Sequence, residues 1–195
     1  MTTNTDASDW LAAQIVAHQS TVEALKNLSP QILEVANLCS NALRAGGKII
    51  LGGNGGSAAD AQHFAAELVG RFEQERRGLA AIALSCNAAT LTSIGNDYGF
   101  EHIFSRQIEA IAQPSDIFVA ISTSGNSANI VAAAVAAGAL GCPVIALTGS
   151  KASKLSVLAQ HWLPMPSDHT ARIQEAYLLV GHILCGLMEK DFVRH

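Results

Sequence analysis

Five short apolar runs, separated by stretches with helical spacing, constrain this chain more than any other feature of its sequence. Residues 48–51, 81–84, 116–121 and 143–147 are near-continuous in Ile, Leu, Val, Ala and Phe, and 162–165 is a weaker fifth run. None alternates polar with apolar, so each strand is expected to be covered on both faces. That is the situation of a parallel sheet between helices. Helical patterns fall between the runs, over 57–71, about 100–113, 127–139 and about 170–190. Strand alternating with helix predicts an α/β fold: a three-layer, doubly wound, flavodoxin-like parallel sheet.

Two more helical stretches precede the first run. Residues 9–27 set Trp10, Leu11, Ile15, Val16, Val22 and Leu25 at roughly helical spacing. A second helix is expected from Pro30, with Ser29 as its N-cap, to a stop at Gly46-Gly47. No repeat, low-complexity segment or linker interrupts the chain. We therefore expect one structural unit: an N-terminal helical arm over 1–46, used in oligomer packing, and an α/β domain over 47–195.

Composition bears on partners. Hydrophobic residues make up 49% of the chain and charged residues 14%. So few charges for so much apolar surface predict that copies of the chain cover one another. The formal net charge is −4 with no basic stripe, which argues against nucleic-acid partners. No apolar run approaches the ~20 residues of a membrane span. Residues 1–9 are polar and acidic, unlike a signal peptide. Cys39, Cys86, Cys142 and Cys185 are scattered without a CxxC pair. They read as buried, reduced thiols of a cytoplasmic protein.

Two loops carry the functional signal. The first run leads into Gly52-Gly53-Asn54-Gly55-Gly56-Ser57 and the third into Ser122-Thr123-Ser124-Gly125-Asn126-Ser127, each followed by a helix. Ligands of open α/β sheets bind beyond the carboxyl ends of the strands, where both loops sit. Glycines admit backbone N–H groups close to an anion, and helix N-termini favour negative charge. The hydroxyls of the second loop exceed what capping needs, so it is read as a phosphate site. Neither loop is a Walker A sequence or a G-x-G-x-x-G dinucleotide fingerprint, and no nucleotide cofactor is expected.

His63 and Glu67 lie four apart and so share a helix face; the bland reading is an exposed polar pair. Gln174 and His182 lie eight apart, about 12 Å along a helix, so both can face one cavity. The bland reading of His182 is a structural histidine among Val180, Ile183 and Leu184. His18, His102, His161, His169 and His195 show no ligand spacing. Asp168 and His169 either cap the last helix or reach a ligand.

With those loops, 60–67, 95–100, 104–107 and 172–175 resemble the SIS (sugar isomerase) domain family, and within it the phosphoheptose isomerases. The similarity runs along essentially the whole chain. It implies interconversion of sedoheptulose 7-phosphate and D-glycero-D-manno-heptose 7-phosphate through an enediol, the first step toward ADP-heptose and the heptose of lipopolysaccharide cores. It implies a cytoplasmic homotetramer with interfacial active sites. By the same resemblance Ser122, Thr123, Ser124 and Ser127 hold the phosphate. Asn54, Gly55, Gly56, Ser57, Asn96, Asp97 and Gln174 contact substrate. Glu67 and His182 are the catalytic acid–base pair, and His63, Glu67, Gln174 and His182 carry one zinc per subunit. Zinc on Glu67 and His182 competes with their use as free acid and base, and the sequence leaves both arrangements open. Arg77-Gly78-Leu79-Ala80 lacks two prolines common in such enzymes, which predicts a freer loop there. Ser150-Lys151-Ala152-Ser153-Lys154 likewise stands where relatives often have glycines. The competing expectation is a non-catalytic SIS paralogue that binds the replication initiator protein; retention of Glu67, His63, Gln174 and His182 argues against it.

Overall fold

The computed structural model describes residues 4–193. Five parallel strands form one sheet: β1 (Ile49–Gly52), β2 (Ala81–Ala83), β3 (Ile117–Ile121), β4 (Val144–Thr148) and β5 (His161–Pro164). Their order is β2-β1-β3-β4-β5. The pairing runs Leu51 with Val119, Val119 with Ile145, and Leu147 with Leu163. Every residue of β1, β3 and β4 is buried, as expected of runs apolar on both faces.

The helices are α1 (Asn4–Ala24), α2 (Ser29–Arg44), α3 (Gly56–Val69), α4 (Ala88–Tyr98), α5 (Ser105–Ile111), α6 (Ala128–Ala139), α7 (Lys154–Leu158) and α8 (Thr170–Lys190). Alternate strand residues feed two cores. Ile49, Leu51, Ile117, Val119, Ile121 and Ile145 pack with α2, α3 and α8. Ile50, Phe118, Ala120, Val144 and Ala146 pack with α5 and α6 on the opposite face. This period-2 division gives the three layers. On the first face, Gly181 of α8 lets α3 approach: a Cβ there would lie 2.0 Å from the Phe64 ring.

Several boundaries differ from expectation. Ser29 does not cap α2. Leu28 occupies the cap, a 3-10 turn (Leu25–Leu28) joins α1 to α2, and the Ser29 hydroxyl donates to the Lys26 carbonyl. Helix α4, not expected from the sequence, buries no residue fully; its Leu91 and Ile94 pack against the second core while partly exposed. The stretch expected as one helix over about 100–113 is a 3-10 turn (Phe100–His102) followed by α5. Helix α7 is five residues long, capped by a reciprocal Ser153–Ser156 box.

Helix α2 supplies Ile32, Val35, Ala36, Cys39 and Leu43 to the first core. Helix α1 lies against α8 and leaves Trp10, Leu11, Ile15 and Val16 between 51% and 66% exposed. Cys39, Cys142 and Cys185 are buried, whereas Cys86 is exposed, correcting the expectation of four buried thiols; all four are free. Burial pushes the Cys39 and Cys185 thiols up to about 12 and Cys142 to about 11, which leaves them inert at neutral pH. No helix of the described residues is long and apolar enough to cross a membrane. His195 lies outside the described residues.

Candidate active site

The strand order reverses between β1 and β3, and the two signal loops leave the sheet side by side there. Their side chains tie them together. The Asn54 and Asn129 amides exchange two hydrogen bonds of 2.8 Å. Asn129, in the first turn of α6, was not singled out from sequence, because its partner is 75 residues away. Within the second loop the Ser122 and Ser127 hydroxyls lie 3.0 Å apart. The Asn126 N–H donates to the Ser124 hydroxyl at 3.1 Å, and the Asn126 side-chain oxygen accepts from the Lys154 N–H. Gly125 turns this loop at φ 64°, and a Cβ there would lie 2.1 Å from the Ser153 hydroxyl oxygen. Only glycine satisfies both the backbone angle and the contact.

Thr123, Ser124 and Asn126 form one wall of a cleft of about 340 Å³. The opposite wall is the loop after β4, with Gly149, Ser150 and Lys151, and the segment before α8, with Ser167 and Asp168. Asp168 thus faces the cleft, paired with Lys151 at 3.3 Å, and His169 occupies the N-cap of α8 without a side-chain capping bond. Ser57 is buried in the first turn of α3, at whose N-cap Gly55 sits. The Gln174 amide lies against Gly56: a Cβ on that glycine would come 2.6 Å from Nε2. Asn96 and Asp97, at the end of α4, are exposed, bond to each other at 2.7 Å and do not line the cleft.

A second cluster forms further along α3 and α8. His63 Nε2 lies 3.0 Å from His182 Nε2 and 3.3 Å from a Glu67 carboxylate oxygen. The ligand atoms of all three residues fall within 4.8 Å of one another. Donors on a tetrahedral zinc, with bonds of about 2.1 Å, sit roughly 3.4 Å apart, so two imidazoles and a carboxylate in this arrangement fit such an ion. Gln174, the fourth expected ligand, has its amide beside Gly56 at the start of α3. His182 is not an ordinary core histidine. Its ring is half-buried, stacks on Phe72 with centroids 5.5 Å apart, and meets Phe64 edge-on. Asp60, one turn before His63, is raised above its usual range by burial, which the nearby His63 partly offsets.

Residues 14–149 match the SIS domain family. A phosphoheptose isomerase of Helicobacter hepaticus is 50% identical over 181 residues, covering 93% of this chain and 92% of that protein. One of Geotalea daltonii is 51% identical, covering 92% and 94%. This chain belongs to the phosphoheptose isomerase family. The solved phosphoheptose isomerase of Neisseria gonorrhoeae superposes with a TM-score of 0.89 at 40% identity, over 94% of this chain and 99% of that one. The Francisella tularensis phosphoheptose isomerase gives 0.88 at 39%, over 97% and 100%. The five-stranded sheet and the helices on its two faces are therefore those of the phosphoheptose isomerase fold.

One part of this phosphoheptose isomerase site was illegible in the sequence. The 70–77 segment, which leads into the Arg77–Ala80 stretch expected to be freer for want of prolines, is held by a buried ion pair. Arg76 Nε lies 3.3 Å from a Glu189 oxygen, and both side chains are at most 2% exposed. That contact has ion-pair distance without hydrogen-bond alignment. Arg76 donates to the carbonyls of Leu68, Gly70 and Arg77 through Nη1 and of Glu67 through Nη2, at 2.8–3.1 Å. Glu189 accepts the N–H groups of Phe72, Glu73 and Gln74 at 2.8–2.9 Å. Burial pushes the Glu189 carboxyl up, but those three donors and the Arg76 charge outweigh it and hold it below its ordinary value.

Proposed function

We propose that this chain is a ketose–aldose isomerase converting sedoheptulose 7-phosphate to D-glycero-D-manno-heptose 7-phosphate in the cytoplasm, at the start of heptose supply for lipopolysaccharide. The observation that carries the reading is the convergence of Glu67 and His182, far apart in sequence, in one cluster of donor atoms. A non-catalytic protein has no need to keep that pair, and the family relationship favours the enzyme over a paralogue that binds the replication initiator.

The phosphate would sit in the cleft against Thr123 and Ser124, with Ser122 and Ser127 behind them and Lys151 at its edge. Asn54, Gly55, Gly56, Ser57 and Gln174 line the start of α3, where they suit the sugar; Asn96 and Asp97 would join them on binding or from a neighbouring subunit. Held by its phosphate, the sugar presents C1 and C2 to the reacting groups, so remote binding energy is spent on orientation. The Glu67 carboxylate removes a proton from C1 of the ketose, giving the 1,2-enediol, and returns it to C2. His182 moves the balancing proton between O1 and O2. Each group is expected to contribute about 10²–10⁴-fold. In the alternative arrangement His63, Glu67 and His182 would hold a zinc ion, which would polarise a substrate oxygen as a Lewis acid in place of the free acid–base use of Glu67 and His182.

A homotetramer with interfacial active sites is part of this reading. The exposed apolar residues of α1, with Trp10 and Ile15 each more than half exposed, support it. The deciding experiment feeds sedoheptulose 7-phosphate to the purified chain and follows aldose formation. We expect turnover by wild type and losses of at least ~10²-fold in Glu67→Gln and His182→Ala. Absence of wild-type turnover, with and without added zinc, would sink the enzyme reading.

A further inference from the structure

The Arg76–Glu189 pair is costlier than a loop anchor needs to be. Two charges are taken wholly out of water, and apolar side chains of similar volume commonly do the same structural work as well or better. What distinguishes this pair is where its hydrogen bonds end. Four carbonyls and three N–H groups of one short segment, 67–77, are involved. The segment begins at Glu67, whose own carbonyl takes an Arg76 bond, and contains Phe72, whose N–H goes to Glu189. Arg76 thereby serves as the C-terminal cap of α3, binding carbonyls one to two turns beyond His63 that have no helical partner. Glu189 sits two turns beyond His182 on α8. The pair therefore bolts the end of α3 to α8 on the far side of the acid–base cluster. Phe72, fixed by the same bolt, covers the His182 ring.

We infer that Arg76 and Glu189 are positioning residues for the isomerisation: they set the spacing of Glu67 from His182 and press Phe72 onto the His182 imidazole. The inference rests on the isomerase reading for its kinetic consequence, and on geometry alone for its structural one. Phe72 closes one face of the imidazole, so the ring keeps a single orientation toward His63. Loss of that restraint lets the ring rotate away, and misplacement of about 1 Å costs up to ~10²-fold in rate.

The test uses the full chain with Glu189→Gln, Phe72→Leu and Phe72→Tyr beside wild type. The kinetic expectation is a fall in kcat of about 10- to 100-fold for Glu189→Gln and Phe72→Leu with KM within about twofold, because the phosphate cleft is untouched. Phe72→Tyr restores a ring and recovers most of the loss. The second readout is the NMR position of the His182 ring protons, assigned by their absence in His182→Ala. Stacking on Phe72 shifts them upfield. Glu189→Gln leaves Phe72 in the sequence, so a downfield return of those protons in this variant reports that the loop has lifted. Wild-type kcat in folded Glu189→Gln together with an unmoved His182 resonance overturns the proposal. If Glu189→Gln does not fold, Phe72→Leu decides: wild-type kcat in that variant overturns it equally. An inactive wild type would refute the isomerase reading instead, and the resonance would still decide the positioning claim.

Discussion

Lys151 brings a positive charge to a cleft otherwise walled by hydroxyls, backbone and the Asp168 carboxylate. Its ammonium is largely exposed and paired with Asp168, so its present contact is weak. A sugar phosphate dianion offers a better partner. Lys151→Ala is expected to raise KM roughly 2- to 5-fold at low ionic strength, leave kcat nearly unchanged, and lose the difference in high salt. Steady-state kinetics across a salt series checks this; a salt-independent effect would mean that Lys151 acts through loop packing. Residue type alone marked the hydroxyl loop as anion-binding. It did not mark Lys151, because a lysine in a polar loop is ordinary until the loop is seen to form a wall.

Among the elements, α3 and α8 carry the His63, Glu67 and His182 cluster, and the Arg76–Glu189 bolt joins their far ends. Removing one partner of such a pair typically costs about 3–5 kcal/mol, so Glu189→Gln lowers stability at neutral pH. The pH dependence is more telling. A folded carboxyl held below its unfolded value of 4.5 contributes stability that is present above that value. The contribution is lost as pH falls through the lowered folded value. Wild type should therefore lose stability more steeply than Glu189→Gln as pH is lowered from 4.5, measured as the slope of urea midpoints against pH. Glu175, also held low by His18 and Arg172 despite burial, is present in both proteins and cancels in the comparison. Parallel slopes would mean that the Glu189 carboxyl is not held low. Both residues were invisible to sequence reading: Arg76 lies in a charged loop, and Glu189 near the polar end of a helix, where exposed charges are normal.

For the molecule as a whole, the exposed apolar residues of α1 are a departure from what a solitary domain presents. Trp10, Leu11, Ile15 and Val16 stand exposed on one arm. Paired substitutions Trp10→Glu and Ile15→Glu are expected to convert a tetramer, four times 20.3 kDa, to smaller species. Light scattering on the eluting protein reads the mass, and unchanged mass would show that α1 is not the assembly surface. If the active sites are interfacial, activity falls in proportion to the dissociated fraction.

The layered α/β fold was legible because strands buried on both faces leave a run of apolar residues that no other environment tolerates. The two switch-point loops were legible as strand ends because each follows an apolar run and precedes a helix. His63 and Glu67 shared a face by helical period alone. The rest needed the tertiary structure. Helix α4 buries no residue fully, and Asn54 and Asn129 are partners only because β1 and β3 are neighbours. Arg76 and Glu189 are an ordinary surface pair by composition and a buried bolt by position. Local sequence carries period and turn chemistry, both short-ranged. Which distant side chains meet is decided by how the layers pack, and in this protein that packing brings Glu67, His63 and His182 together.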